Sequence, residues 1–486
     1  MNKKQLLKLG VPHDCVDVAI ACLQADAGSG VKRRAKQVLP RLIAAPQEFL
    51  ADSAYGPLAQ AVLTDYENRQ EKGSVPDFPR GLGKSATDPG GSVKVEYAVW
   101  GHNLDAASHS QISAACQLPV ARAAALMPDA HSGYGLPIGG VLACENAVVP
   151  YAVGVDIACR MKLTITDLPV ESLERNDPAE CRELDAALKK GTIFGTGGRW
   201  SRPQEHAVMD EDWSVTAVTR EVRDKAWVQL GTSGSGNHFA EWGVVNLPTG
   251  FGQLEAGRYV ALMSHSGSRG PGAAVCQRYS DIARRKLPHR FKEDPQLRHL
   301  AWLMMNDEDG QAYWSAMNLM GQYAAANHEV IHRNVTKLAG AKRLETIENH
   351  HNFAWKEIHH GKTLYVHRKG ATPAAAGVLG VIPGNMADTA FIVRGKGEPK
   401  SLNSAAHGAG RCMSRTAAKR QFNWPEWREY LRRRNTRLLA GGLDEVPGAY
   451  KNIHAVMADQ HDLVDVVGDF TPRIVLMCGD DSRAED

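Results

Sequence analysis

From about Val95 onward the chain is cut into apolar runs of four to six residues, each bounded by glycine, proline or polar residues. Gly139–Cys144, Tyr151–Val155, Met161–Ile165, Tyr259–Met263, Thr363–Val366 and Ile474–Met477 have strand length and lack helical spacing. Three longer stretches, Ala273–Leu287, Ala312–Leu338 and Trp424–Leu439, carry the 3.6-residue apolar period instead. Mixed strands with grouped helices predict an α+β fold, with α/β as the neighbouring possibility. No tandem repeat or low-complexity tract interrupts the pattern.

The first part of the chain has a different texture. Residues 1–68 read as a small helical extension, with helical spacing over Val16–Leu23, Ala35–Ile43 and Gly56–Tyr66. Residues 69–94 are a polar linker rich in glycine and proline, which leaves 95–486 as one large domain. Gly83-Lys84-Ser85 imitates the end of a phosphate-binding loop, but Phe78 stands where the first glycine is needed. No apolar run reaches the roughly 18–20 residues that span a bilayer, so no membrane partner is expected. The start, Met1-Asn-Lys-Lys-Gln-Leu-Leu-Lys, has no apolar signal stretch. Nine cysteines without framework spacing fit a reducing, cytoplasmic setting. A net charge of +3 neither demands nor excludes nucleic acid, so a polyanion site must be a local patch.

Histidine is the unusual residue, with 19 in the chain. In Asn403-Ser-Ala-Ala-His407-Gly-Ala-Gly-Arg411 an imidazole adjoins a turn of small residues, with Arg411 and Arg415 following. Small residues let the backbone N–H groups approach a phosphate, and guanidinium forks clamp its oxygens. Gly234-Ser-Gly-Asn237-His238-Phe-Ala-Glu241, Ser264-His265-Ser-Gly267 and Asn349-His350-His351-Asn352 set further histidines beside glycine or asparagine. Asp156-Ile-Ala-Cys159 adds a carboxylate and a thiol that converge on one ion if the chain turns there. Each motif alone is more often a surface turn, a satisfied core histidine or a buried cysteine. Together they make a borderline donor set compatible with zinc, manganese, iron or cobalt.

Met127-Pro-Asp129-Ala-His131-Ser-Gly133 offers a carboxylate and an imidazole, or simply a capped turn. Arg368-Lys369-Gly370 and Arg394-Gly-Lys396-Gly397 suit phosphate contacts, though charged turns are more often only solvated. The basic face of Arg432, Arg433, Arg434 and Arg437 reads first as solvated surface.

In this order the segments resemble the RtcB family of RNA-splicing and repair ligases, over about four fifths of the chain. The matching stretches are Met-Pro-Asp-Ala-His at 127–131, Gly-Val-Asp-Ile-Ala-Cys at 154–159, Gly-Asn-His-Phe at 236–239 and His-Ser-Gly-Ser-Arg-Gly at 265–270. They continue with His-His-Asn at 350–352, Arg-Lys-Gly-Ala at 368–371, Ile-Pro-Gly at 382–384, Phe-Ile-Val-Arg-Gly-Lys-Gly at 391–397 and His-Gly-Ala-Gly-Arg at 407–411. The resemblance implies a ligase that joins RNA 2′,3′-cyclic phosphate or 3′-phosphate ends to 5′-hydroxyl ends, with GTP and manganese. It implies His407 as the nucleophile that carries GMP, and Asp156, Cys159, His238, His265 and His351 as ligands of two manganese ions, Cys159 bridging. Asn237, Glu241 and Asn385 would contact the nucleotide, Gly408, Ala409, Gly410 and Arg411 its phosphates, and Tyr450 the guanine. Asp129 would sit near the guanylylation chemistry. The Lys-x-Asp-Gly of lysine-dependent ligases is absent.

Several positions depart from the family pattern. Ala158 and Arg160 replace glycines, Tyr134 replaces lysine and Asn385 replaces serine; Met477-Cys478-Gly479-Asp480-Asp481 stands where the family closes on Lys-Gly. These departures bear on nucleotide choice and RNA specificity more than on chemistry. Two other functions are weighed: a metal-dependent phosphoesterase that opens cyclic phosphates without ligating, and a non-catalytic RNA-binding protein.

Overall fold

The structure is a computed structural model that describes residues 95–174 and 181–479 throughout, with separate stretches between 3 and 62. The chain divides into two compact units, 1–80 and 81–486. In the first, helices Lys3–Leu7 and Val16–Ala25 and helical residues 56–62 enclose their own core of Leu6, Val16, Ala19, Leu58 and Val62. The expected 35–43 helix is only partly described; the 69–94 linker and Gly83-Lys84-Ser85 lie outside the described residues.

The second unit is built on two sheets. The larger runs Leu379–Ile382, Ala390–Gly395, Val464–Met477, Phe239–Leu247, Gly257–Ser266, Arg160–Thr166, Arg343–His350, all antiparallel, with Arg437–Ala440 added in parallel beside Val464–Met477. The smaller runs Tyr97–Val99, Ala121–His131, Ile138–Cys144, Lys362–Lys369, Asn352–His359, antiparallel apart from its first pair.

Alternation along Phe239–Leu247 explains how the larger sheet is covered. Ala240, Trp242 and Val244 face helices Arg182–Gly191 and Glu308–Leu338, whose Leu188, Ile331 and Val335 join them in one core cluster. Val245 and Leu247 face the other way, with Met161, Leu163, Met263 and Phe470. A third cluster packs Ala217–Gln229, Arg269–Lys286 and Glu308–Leu338 against the smaller sheet through Val222, Val275, Tyr313, Met317, Leu126 and Leu142.

His351 is the one residue between Arg343–His350 of the larger sheet and Asn352–His359 of the smaller. Its N–H donates to the Cys159 carbonyl at 2.9 Å, so the passage between the sheets is pinned to the Asp156–Cys159 turn.

Two element expectations are corrected. Tyr151–Val155 is no strand: Pro150–Val153 forms a helical turn, because Pro150 presets φ at the first helical position and Gly154 leaves it at φ 107°. The expected helix over Trp424–Leu439 ends at Arg433; Asn435 turns left-handed at φ 53°, and Arg437–Ala440 joins the sheet as a strand. The other two helices begin four residues earlier than their apolar periods, at Arg269 and Glu308.

Candidate active site

Five side chains from four separate segments converge where the two sheets meet. Asp156 and Cys159 lie on a turn closed by Ala158 at φ 58°, whose N–H donates to the Asn352 carbonyl at 2.6 Å. The left-handed conformation costs a non-glycine residue roughly 1 kcal/mol, so that contact must hold the turn against strain. His238 follows the turn of Gly234 and Gly236, both at positive φ, and immediately precedes Phe239–Leu247. His265 is the penultimate residue of Gly257–Ser266.

Cys159 Sγ is 3.1 Å from His265 Nε2 and 3.4 Å from His238 Nε2, and the His265 and His351 Nε2 atoms are 3.2 Å apart. His238 Nδ1 donates to the Ser233 carbonyl at 2.8 Å and His265 Nδ1 to the Asn237 carbonyl at 3.1 Å. Those bonds leave both Nε2 lone pairs facing the thiol, the arrangement in which imidazole binds a metal. Asp156 accepts from the Ser268 N–H at 3.0 Å through Oδ1. Its Oδ2 lies 3.2 Å from His238 Nε2, yet is buried without a hydrogen-bond partner. A buried carboxylate oxygen facing a bare imidazole nitrogen is two acceptors with no proton between them, and a cation relieves both. The donor set therefore fits a metal ion, and Cys159, His238 and His265 bring their donor atoms within 4.8 Å of one another.

The electrostatics agree. Burial, followed by the neighbouring His238, pushes His265 down to about 3, and burial holds His351 well below the ordinary histidine value. Burial alone would raise the Asp156 carboxyl, but its closeness to the His238 ring and the Arg269 charge outweigh it and keep it lowered. Neutral imidazoles and an ionised carboxylate are the ligand forms of these groups.

The His351 ring lies 4.8 Å, centroid to centroid, from that of His407. His407 Nδ1 is 2.6 Å from Asp129 Oδ2, which also accepts the backbone N–H of His407 at 3.1 Å and of Gly408 at 3.3 Å. Asp129 is fully buried near the end of Ala121–His131. The Nδ1 proton is thus committed to the carboxylate, and Nε2 is left with its lone pair.

Both groups open into one cleft with about 880 Å³ of space, counting the part open to solvent. Asn237, Glu241, Asn385, Gly408, Ala409, Gly410, Arg411 and Tyr450 all line it with His265, His351 and His407. Glu241 is buried on the cleft face of the larger sheet, and burial raises its carboxyl well above the usual range. A protonated Glu241 offers both a donor and an acceptor. Asn385 uses its carbonyl to cap the N–H groups of Ala387 and Asp388, and its amide donates to Asp388 at 2.8 Å. Arg411 donates to the Asp444 carbonyl at 2.8 Å and sits 5.2 Å over the Tyr450 ring.

Residues that sequence reasoning passed over complete the setting. Glu445, buried, contacts the Tyr450 hydroxyl and Arg415. Lys451 donates to the carbonyls of Pro128 and Ala130, on either side of Asp129. Behind His265, Ser264 Oγ lies 2.8 Å from both His328 and His332. The four-residue spacing of His328 and His332 on one helix face was the available signal.

Other expectations fall outside the site. Arg368 is buried and makes a bidentate pair with Glu357 at 2.7 and 3.1 Å, so it is neither solvated nor free for phosphate. Lys396 pairs with Asp465 at 2.8 Å. Arg432 and Arg433 are exposed and share Glu429, while Arg437 contacts Asp185. Among the described residues no helix is long and apolar enough to cross a membrane.

Residues 111–478 match the family described as tRNA-splicing ligase RtcB. RNA-splicing ligase RtcB of Escherichia coli K12 is 35% identical over 388 residues, covering 75% of this chain and 92% of that protein. tRNA-splicing ligase RtcB of Thermococcus kodakarensis is 32% identical over 404 residues, covering 69% of this chain and 83% of its own length. RNA-splicing ligase RtcB of Mycobacterium bovis is 30% identical over 409 residues, covering 70% and 93%. With a family match across most of the catalytic unit and relatives at this identity, the chain belongs to the RtcB ligase family.

Proposed function

We propose that this protein is an RNA ligase that joins 2′,3′-cyclic phosphate or 3′-phosphate ends to 5′-hydroxyl ends, with GTP and manganese. The observation that carries the reading is His407: its Nδ1 is held by buried Asp129, its Nε2 is free, and it faces the His265–His351 donors across one cleft.

A neutral imidazole is nucleophilic near neutral pH without a base to strip it. His407 Nε2 attacks the α-phosphorus of GTP; an N–P bond forms and the bond to pyrophosphate breaks. The Nδ1 proton stays shared with Asp129, which balances the positive charge on the ring as the bond forms. A cyclic end is first opened by water, which breaks the P–O2′ bond and leaves a 3′-phosphate; GMP then passes from His407 to that phosphate, and the 5′-hydroxyl displaces GMP to close the strand. Asp156, Cys159, His238, His265 and His351 would hold manganese. Bound there, the metal would neutralise charge on the phosphates of both substrates. All of them lining the cleft, Gly408–Gly410 and Arg411 would receive the phosphates, and Asn237, Glu241, Asn385 and Tyr450 the ribose and base.

The test is incubation with α-labelled GTP and manganese, followed by denaturing electrophoresis, beside His407→Ala. An acid-labile, alkali-stable label lost in the variant supports the histidine–GMP route. Absence of label from a protein that binds manganese and opens cyclic phosphates would replace ligase with phosphoesterase. RNA binding indifferent to both His407→Ala and manganese would leave only a binding protein.

A further inference from the structure

The loop joining Ala121–His131 to Ile138–Cys144 starts and ends on the cleft, since His131 and Ile138 both line it. At its tip Tyr134 is 69% exposed. The loop is nevertheless held on two sides. The Gln111 amide donates to the Gly133 carbonyl at 2.5 Å and accepts the Gly133 N–H at 3.0 Å. Lys369 Nζ donates to the Tyr134 carbonyl at 2.5 Å. Gly135, at φ +73°, lies so close to His299 that a Cβ would stand 3.0 Å from the His299 carbonyl oxygen.

The tyrosine ring is part of a stepped aromatic row. Tyr134 and His299 have ring centroids 6.2 Å apart, and His299 meets Tyr151 edge-on at 5.6 Å. Arg284 lies 6.0 Å from the Tyr151 ring centre, with Asp281 offsetting part of its charge. Burial, then the charges of Arg298, Arg284 and Lys369, lower His299 below the ordinary histidine value, so the middle ring is uncharged at neutral pH. An aromatic face exposed to water on an anchored loop, with Lys369 beneath it and Arg284 at the far end of the row, suits a nucleobase with its phosphate nearby. A protein partner would ask for a broader apolar patch. The row is also close to the nucleophile. Lys369, which holds the Tyr134 carbonyl, is followed by Gly370, where a Cβ would lie 3.2 Å from His407 Cε1.

We propose that Tyr134 is a stacking platform for an unpaired base near the RNA end presented to His407, a specificity element that rests on the ligase reading above. Stacking on one face is tolerant of sequence and demands a single strand, because a base inside a duplex has no free face. The platform therefore selects frayed or unpaired ends over blunt helical ones.

The experiment uses the full chain, RNA ends carrying 2-aminopurine in the last few nucleotides, and the variants Tyr134→Ala and Tyr134→Phe. Binding to the wild type and the Phe variant quenches the fluorophore, while the Ala variant leaves it bright. The Ala variant raises KM for RNA about tenfold, with the rate of His407 labelling by GTP within twofold of wild type. Unchanged quenching and KM in the Ala variant would overturn the proposal, as would a Phe variant that behaves like Ala. Failure of His407 labelling in every protein would sink the ligase reading instead, and the quenching comparison would still judge the platform.

Discussion

Asp129 decides which imidazole nitrogen of His407 is free. Replacing it by asparagine keeps the shape but offers an amide that also donates, which favours the tautomer with its proton on Nε2. Asp129→Asn should slow His407 labelling by about 10³- to 10⁴-fold in single-turnover assays while GTP binding stays within a few-fold. Retention of more than a tenth of the wild-type rate would detach Asp129 from the chemistry. Cys159→Ala removes the thiol that faces both His238 Nε2, at 3.4 Å, and His265 Nε2, at 3.1 Å. It should lower bound manganese, measured by equilibrium dialysis, at least tenfold. The residues of this cluster were legible in the sequence because histidine, cysteine and aspartate beside glycine or asparagine are few enough to stand out. Glu445 and Lys451 were not legible, since a single charged residue in a long loop carries no pattern until the fold buries it.

At the scale of elements, two glycines give contrasting predictions. A Cβ at Gly410 would lie 2.1 Å from the Asp129 carbonyl oxygen, with the backbone at φ +74°. That atom belongs to the strand Ala121–His131 and cannot swing aside, so Gly410→Ala should cost about 2–3 kcal/mol of stability in urea titration. A Cβ at Gly267 would lie 2.0 Å from Asp156 Oδ2, the end of a side chain that can rotate away. Gly267→Ala should therefore keep its unfolding midpoint within about 1 kcal/mol of wild type and lose manganese affinity. Equal loss of stability in both variants would refute the distinction. The two corrected elements failed for related reasons. Tyr151–Val155 is as apolar as a strand, but Pro150 and Gly154 bracket a helical turn. The helical period before Leu439 continues past the point where Arg437–Ala440 is drawn into pairing with Val464–Met477.

Across the whole molecule, burial of neutral histidines links stability to pH. His367 donates from Nδ1 to the Leu142 carbonyl and accepts the Val149 N–H at Nε2, and burial lowers it to about 4. His328 and His332, behind the larger sheet, are held well below the ordinary value, again by burial. The folded values lie below the unfolded one of about 6.5, so the unfolded chain takes up protons first and stability falls as pH drops below that point. For His367 the loss runs at about 1.4 kcal/mol per pH unit down to its folded value. Urea midpoints of the metal-free protein at pH 7.5, 6 and 5 should decline in order; a flat series would contradict the assigned tautomers. Added manganese should raise the thermal midpoint in a concentration-dependent way, and less so in Cys159→Ala.

By itself the sequence determined the α+β class, the chemical types gathered in the site and the order of the motifs, because these depend on local period and residue identity. Tertiary structure alone decided that His351 is the link between two sheets, that Asp129 holds Nδ1 of His407, and that Arg368 is locked to Glu357. Asp129 and His407 are separated by 278 positions. Distances of 2.6 Å across such a separation follow from strand register and core packing, and no local pattern encodes them.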